Sequence, residues 1–316
     1  MGEADRTAQG IGYHRGLDGL RGLALVAIFV YHSGAGWVPG AFLSVSTFFT
    51  LSGFLITALL LVERERTGRI SLRAFWARRL RRLLPASLAA VSLIVIAAVA
   101  LADSGQMGRL RVDALAALAY VANWRFIAAG DTYGAAFASP SPLTHFWTLA
   151  IEEQFYVVLP LVVVLALGRT RSLRRIGVVF GLLLAASVIW GNILVNSGAT
   201  ISRLYFGTDT RAAELAAGSL LAIWWQSRGG VGQQRVRSLI RVVSPVALVA
   251  VLALWATADL EQRWYYRGGL TAYSLLTVTL VLAALESGGL VERLLGWRPL
   301  VWIGTVSYGA YLVHYP

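Results

Sequence analysis

Long apolar stretches, separated by short polar or basic segments, run through almost the whole chain. Each is close to the roughly 20 residues that an α-helix needs to cross the hydrocarbon core of a bilayer. The pattern therefore predicts an all-α fold, a polytopic transmembrane helical bundle with about nine spans. The candidate spans are 17–37, 42–62, 83–102, 146–168, 176–195, 210–227, 242–258, 269–286 and an incomplete one that begins at 300.

Basic clusters between the spans give the predicted bundle a direction. They lie at 64–82, 169–175 and 228–241. Because cytoplasmic loops of membrane proteins carry an excess of Lys and Arg, we expect all three clusters and the N-terminus to be cytoplasmic. The predicted location is the cell inner (plasma) membrane, with multiple passes.

This orientation holds only if the weakly apolar stretch 113–128 does not cross the membrane. The stretch contains Asn123 and Arg125, which suit the wall of a cavity better than contact with lipid. We expect a re-entrant or interfacial helix there, on the outer side. The alternative is an ordinary span, which would place the later basic loops outside.

Composition narrows the function classes. Of the 316 residues, 57% are hydrophobic and 14% are charged, whereas soluble domains carry about 25% charged residues. The chain has 28 Lys and Arg against 16 Asp and Glu, and we expect this excess to set the orientation of the protein in the bilayer. No segment outside the membrane is long enough to form a nucleic-acid-binding surface. The absence of Cys excludes disulfides, thiolate ligands and a cysteine nucleophile. With only four His, the chain has few residues from which to build a dedicated metal site. Residues 1–316 are predicted to form a single membrane domain.

Two ionisable residues in the first span are the leading catalytic candidates. Arg21 and His32 are eleven positions apart, so on a helix they lie on one stripe about 16 Å from each other. Ionisable groups at membrane depth usually face the bundle interior or a water-filled cavity. His32 is a candidate general base, since a neutral imidazole works near neutral pH; the alternative is a histidine that packs between helices. Arg21 is a candidate for phosphate binding or for pairing with Asp18.

Four arginines near the start of the third span have two competing interpretations. Arg78, Arg79, Arg81 and Arg82 crowd one membrane face. As a topology signal they need no further function. As planar guanidinium forks they suit bidentate phosphate binding, so they are also candidates for holding a phosphorylated donor.

Carboxylates form a further candidate site in the fourth span. Glu152 and Glu153 lie in an apolar helix and must be paired, protonated or hydrated. An ion pair between helices and acid–base work on the acceptor side are both plausible roles for them. His145, seven positions before Glu152, is expected to be a plain interfacial residue.

Three smaller expectations concern packing. Asp209, Arg211 and Glu214 are predicted to form an internal ion network. His314 is expected at the interface or in support of another site residue. A stripe of small residues on the second span favours close helix packing over a substrate channel; its members are Ser46, Thr50, Gly53 and Thr57.

Six ordered sequence blocks resemble the acyltransferase-3 family of integral membrane proteins, which acylate sugars and related extracytoplasmic acceptors. The blocks span nearly the whole chain, and one departs slightly from the family pattern, with Thr148 in place of the usual Ser. They are LDGLRG at 17–22 followed by His32, FFTLSGFLI at 48–56, FWARRLRRLLP at 75–85, TLAIEEQFY at 148–156, TDTR at 208–211 and SYGAYLVH at 307–314.

The resemblance implies a ten-helix core, of which one helix would follow Pro316, and an O-acyltransferase activity. The expected donor is acyl-CoA, with acetyl-CoA favoured, bound from the cytoplasm with its phosphates on the arginines; no tightly bound cofactor is expected. The expected acceptor is a hydroxyl of an extracytoplasmic glycan or glycolipid, deprotonated by His32 or acylated through it. Direct transfer and an acyl-enzyme remain open. The competing class is a transporter or flippase, but the inverted repeats typical of transporters are not evident.

Overall fold

The computed structural model describes residues 12–101, 104–131, 141–168, 172–230, 233–286 and 288–315. The fold within these ranges is all-helical and contains no strand. The polar tail before residue 12, residues 169–171 of the second basic cluster and Pro316 lie outside them. The helices are α1 Arg15–His32, α2 Ser44–Thr67, α3 Leu72–Leu101, α4 Ser104–Leu118, α5 Ala122–Ala128, α6 Phe146–Leu167, α7 Leu173–Asn196, α8 Ile201–Phe206, α9 Thr208–Arg228, α10 Gln234–Thr257, α11 Gly269–Leu285, α12 Leu290–Leu295 and α13 Arg298–Val313.

Every predicted span coincides with a helix, but not every helix has the length and composition of a membrane span. Five described segments do, and most of them leave much of their surface to the surroundings. They are Pro39–Thr67, which includes a 3₁₀ turn before α2, Leu72–Val99, Phe146–Leu167, Leu173–Asn196 and Gln234–Thr257. Because α1 and α13 are only 18 and 16 residues long, the count of nine spans and the ten-helix core stay predictions.

The basic segments meet at one end of the bundle, which we call the basic end. Side-chain contacts there join the last turn of α2 to the ends of α6 and α9. A further contact joins the first half of α10 to the end of α11. The contacts are Arg64 with the carbonyl of Gly168 at 3.5 Å, Gln226 with Glu65, and Arg241 with Glu286 at 3.5 Å. The described parts of all three basic clusters therefore lie on the same side of the fold, as the positive-inside prediction requires.

Three histidines mark the opposite end, which we call the histidine end. His32 ends α1, His314 follows α13 and His145 precedes α6. The ends of α7 and α10 lie there as well. Their contacts are Asn192 with the carbonyl of Arg267 at 3.0 Å and Gly40 against the backbone of Leu254.

The stretch 113–128 is divided between two short helices. The chain breaks between α4 and α5 at Tyr120, whose φ of 55° is incompatible with a continuous helix. The expected single helix is therefore wrong in its bounds. Its polar residues are used inside the protein: Asn123 is fully buried and accepts from Gln154 at 3.0 Å, and Arg125 pairs with Asp113 at 3.1 Å. Helices of 15 and 7 residues are too short to cross a bilayer singly.

Glycines allow close helix packing at several crossings, two of which position the helices of the site. At the crossing of α2 and α9, a Cβ on Gly53 would collide with the backbone of Leu215, and a hydrogen bond of 2.9 Å joins Thr57 to Ser219. At the crossing of α1 and α13, a Cβ on Gly304 would collide with the carbonyl of Asp18. The small-residue stripe of α2 thus serves packing, as expected, and α13 is held against α1 along its length.

Candidate functional site

A cavity lies inside the bundle among α1, α2, α6 and α13. Its volume is about 40 Å³, enough for a few water molecules. Apolar side chains form much of the wall, and the polar groups come from three helices. These are Arg21 of α1, Thr148 and Glu152 of α6, and Ser307, Tyr308 and Tyr311 of α13.

Arg21 and Glu152 bring charge to one part of this cavity. Glu152 accepts a hydrogen bond of 2.8 Å from Ser52 and lies within electrostatic range of Arg21, Arg79 and Arg82. The structure therefore joins Glu152 to the arginines expected to bind the donor. The sequence-based prediction placed these charges in separate sites. It also missed Ser52, the serine of the FFTLSGFLI block.

The four arginines of α3 divide into two pairs. The guanidinium of Arg79 lies 4.9 Å from the centre of the Tyr156 ring, and Arg82 interacts electrostatically with both Arg21 and Arg79. Arg78 instead forms an exposed ion pair with Glu63 at 3.3 Å. Arg81 is exposed and donates to the carbonyl of Ala77 in its own helix at 3.2 Å. Arg79 and Arg82 are thus the two arginines of the cluster that interact with Arg21 or Glu152, although the side chain of Arg82 is exposed.

Glu153 occupies a different environment from Glu152. It is half-buried and interacts electrostatically with Glu152 itself and with Arg79, and also with Tyr120 and Tyr308. Successive helix residues point about 100° apart, so only Glu152 bonds to Ser52, whereas both carboxylates interact with Arg79. Tyr308 in turn shares a hydrogen bond of 2.7 Å with Ser87 of α3.

His32 lies at the histidine end, beside His314. Its Nδ1 is 3.0 Å from Nε2 of His314, and Nδ1 of His314 is 2.7 Å from the carbonyl oxygen of Tyr311. The hydroxyl of Tyr311 shares a hydrogen bond of 2.7 Å with Thr148. Since Tyr311 and Thr148 both line the cavity, the histidine pair is joined to the cavity wall through Tyr311.

His145 is buried rather than interfacial, contrary to the expectation for this residue. It is 1% exposed, and its Nε2 lies 3.0 Å from the carbonyl oxygen of Leu312. Its ring centre is 5.4 Å from that of His314. Burial, followed by the neighbouring His314, lowers the pKa of His145 to about 3. His145 therefore remains neutral at physiological pH and fixes the start of α6 against the end of α13.

The predicted ion network of α9 is in fact two separate pairs. Arg211 and Glu214 form a fully buried pair at 3.2 Å, with the guanidinium 4.9 Å from the centre of the Tyr205 ring. Asp209 pairs instead with Arg203 at 2.5 Å. A sequence cannot separate these pairs, because the partner of Asp209 lies on the preceding short helix. Among the described residues, no group of three His, Asp or Glu is placed to hold a metal ion.

Comparison with known proteins identifies relatives over nearly the whole chain. The family model described as "Acyltransferase domain" matches residues 14–316. A putative peptidoglycan O-acetyltransferase of Bacillus subtilis, YrhL, is 38% identical over 308 residues, which are 96% of this chain and 48% of that protein. Peptidoglycan O-acetyltransferase OatA of Listeria monocytogenes is 37% identical over 309 residues, 96% of this chain and 49% of that protein.

A putative O-acetyltransferase of Staphylococcus aureus, SAS0844, is 36% identical over 314 residues, 96% of this chain and 50% of that protein. The chain thus spans about half the length of the curated relatives that it matches. No solved structure matches it.

Proposed function

This chain belongs to the acyltransferase-3 family of acyl-transferring enzymes, and on that premise we propose that it is a membrane-embedded O-acyltransferase. The reaction moves an acetyl group from acetyl-CoA in the cytoplasm to a hydroxyl of an extracytoplasmic glycan. The observation that carries this proposal is the internal cavity with Arg21 and Glu152 in its wall and Tyr311 linking it to His32. The cavity lies between the charged side chains proposed to bind the donor and the histidine end.

The donor site is proposed at the arginines that approach the cavity. Coenzyme A carries a pyrophosphate and a 3′-phosphate, and guanidinium groups bind phosphate oxygens in a bidentate manner. Arg21, Arg79 and Arg82 lie within electrostatic range of one another or of Glu152. Glu152 partly offsets their mutual repulsion, and Ser52 holds one of its oxygens in place. With the basic end in the cytoplasm, the donor reaches these arginines from its own compartment.

The acceptor site is proposed at the histidine end, facing outward from the cell inner (plasma) membrane. Two relatives are named for peptidoglycan O-acetylation, so a glycan of the cell envelope is the acceptor class that we assign. A glycolipid carrying such a sugar offers the same hydroxyl. In this arrangement the N-terminus is cytoplasmic, and residues 1–316 act as one membrane domain within the whole protein.

His32 is proposed as the general base of the transfer. It accepts the proton of the acceptor hydroxyl while the hydroxyl oxygen forms a bond to the thioester carbonyl carbon. The carbon–sulfur bond breaks, coenzyme A leaves, and the proton passes from His32 to the departing sulfur. The overall reaction is the same if the acetyl group is first bonded to a side chain of the enzyme and then transferred to the acceptor hydroxyl. Direct transfer is the simpler form.

The first prediction concerns His32. In membranes that contain the full chain, His32→Ala should lower acetyl-CoA turnover with a glycan acceptor by about 10²–10⁴-fold, which is the usual contribution of a general base. His14→Ala is the matched control, because His14 precedes the same helix at its other end and makes no side-chain cap hydrogen bond. Turnover should be measured at equal amounts of inserted protein. Near-normal turnover in His32→Ala would rule out His32 as the base.

A further inference from the structure

The ring of His314 is fixed on both sides. Its Nδ1 lies 2.7 Å from the carbonyl oxygen of Tyr311, and its Nε2 lies 3.0 Å from Nδ1 of His32. The ring of Phe29 stacks on His314 at 5.2 Å between centres, with only 16° between the planes. Because one neighbour is a carbonyl, these contacts determine where the protons lie.

A carbonyl oxygen can only accept a hydrogen bond, so Nδ1 of His314 must carry a hydrogen. His314 lies past the end of α13, and burial lowers its pKa below the ordinary value, which keeps the ring neutral near pH 7. In a neutral ring with hydrogen on Nδ1, Nε2 is an acceptor. Nδ1 of His32 therefore donates to it. The carbonyl of Ile28, one turn earlier in α1, is a second hydrogen-bond acceptor for His32, so the ring of His32 has two acceptors beside it for its one hydrogen.

We propose that His314 is a positioning residue that favours one tautomer of His32, with the hydrogen on Nδ1 and the basic lone pair on Nε2. The tautomer is a property of the ring pair itself. Its catalytic meaning rests on the proposed function, in which Nε2 of His32 receives the proton of the acceptor hydroxyl. A ring held in the other tautomer presents an N–H where the base is needed, so the transfer would lose its general base.

Two variants of His314 separate the acceptor role from mere packing. In His314→Gln, the side-chain oxygen can reach the position of Nε2 and accept from His32. In His314→Asn, the side chain is one methylene shorter and cannot. We expect kcat to stay within about tenfold of the wild-type value in His314→Gln and to fall by about 100-fold in His314→Asn. The KM for acetyl-CoA should be unchanged in both, because the donor phosphates bind elsewhere.

The tautomer can be read without any activity. Nitrogen NMR of the full chain, labelled with ¹⁵N-histidine, has four histidines to resolve, and the signals of His32 are those lost in His32→Gln. We expect a protonated Nδ1 and an unprotonated Nε2 in the wild type and in His314→Gln, and a weaker preference for this tautomer in His314→Asn, in which the Ile28 carbonyl remains beside His32. A proton on Nε2 of His32 in the wild type would overturn the inference, as would equal kcat values in the two variants. If the tautomers are as expected but no variant or wild type transfers acetyl groups, the proposed function fails and the positioning role stands.

Discussion

Arg21 and His32 share one stripe of α1, yet they belong to different parts of the site. Arg21 lines the cavity and interacts with Glu152, whereas His32 contacts His314 at the histidine end. The separation of about 16 Å along the helix is too long for one small group to contact both. A donor with an extended arm, such as coenzyme A, suits a site whose anion-binding and basic residues are this far apart.

The division of the α3 arginines gives a sharp test at the residue scale. Arg82→Lys keeps the positive charge but loses the planar fork, so donor binding should weaken while orientation survives. A lost charge-assisted contact of about 1.5–3 kcal/mol corresponds to roughly tenfold to hundredfold weaker binding of acetyl-CoA. The measurement is the dissociation constant of acetyl-CoA for the purified full chain.

Arg81→Lys is the matched control for this prediction. Arg81 is exposed, as Arg82 is, but its guanidinium group donates to the carbonyl of Ala77 in its own helix. Its replacement should leave acetyl-CoA binding unchanged. Equally weakened acetyl-CoA binding in both variants would mean that Arg82 has no special role within the cluster. Unchanged acetyl-CoA binding in both variants would indicate that the cluster determines membrane topology and does not bind the donor.

At the element scale, the crossing of α1 and α13 holds the two histidine-bearing helices together. Gly304→Ala would push a methyl group into the carbonyl of Asp18, whereas Gly309 of the same helix has open space around it. Overpacking of this kind costs about 1–3 kcal/mol. We expect Gly304→Ala to lower the midpoint of thermal unfolding of the detergent-solubilised protein, with Gly309→Ala as the control. Equal midpoints for the two variants would contradict close packing at Gly304.

The long helices could be predicted from sequence, but the short helices α8 and α12, the break between α4 and α5 and the packing partners of the helices could not. Apolar length identified every spanning candidate, and the small residues of α2 correctly indicated close packing. The contact of His32 with His314 joins positions 282 residues apart, and the approach of Glu152 to Arg79 depends on how α3 packs against α6. Nor could helical spacing show which arginines of the α3 cluster interact with Glu152. These features arise from tertiary packing, which a single sequence does not record.

The whole-molecule prediction concerns orientation. The chain lacks Cys, so single cysteines report the accessible side through an impermeant thiol reagent. Ser172→Cys and Gln233→Cys at the basic end should be protected in intact cells. Glu261→Cys at the histidine end is exposed and should be labelled. Ala258 is unsuitable for this purpose, because it is only 1% exposed. Labelling at residues 172 and 233 from outside would reverse the orientation.

Transfer of acetyl groups from one side of the membrane to the other can be measured in oriented vesicles. Inside-out vesicles containing the full chain and an enclosed glycan acceptor are supplied with radiolabelled acetyl-CoA in the outer medium, which then faces the basic end. We predict labelled acetyl esters on the enclosed glycan, none when right-side-out vesicles are treated in the same way, and none with His32→Ala in either preparation. Equal labelling in both vesicle orientations, or labelling only when acetyl-CoA and glycan share one side, would contradict the account.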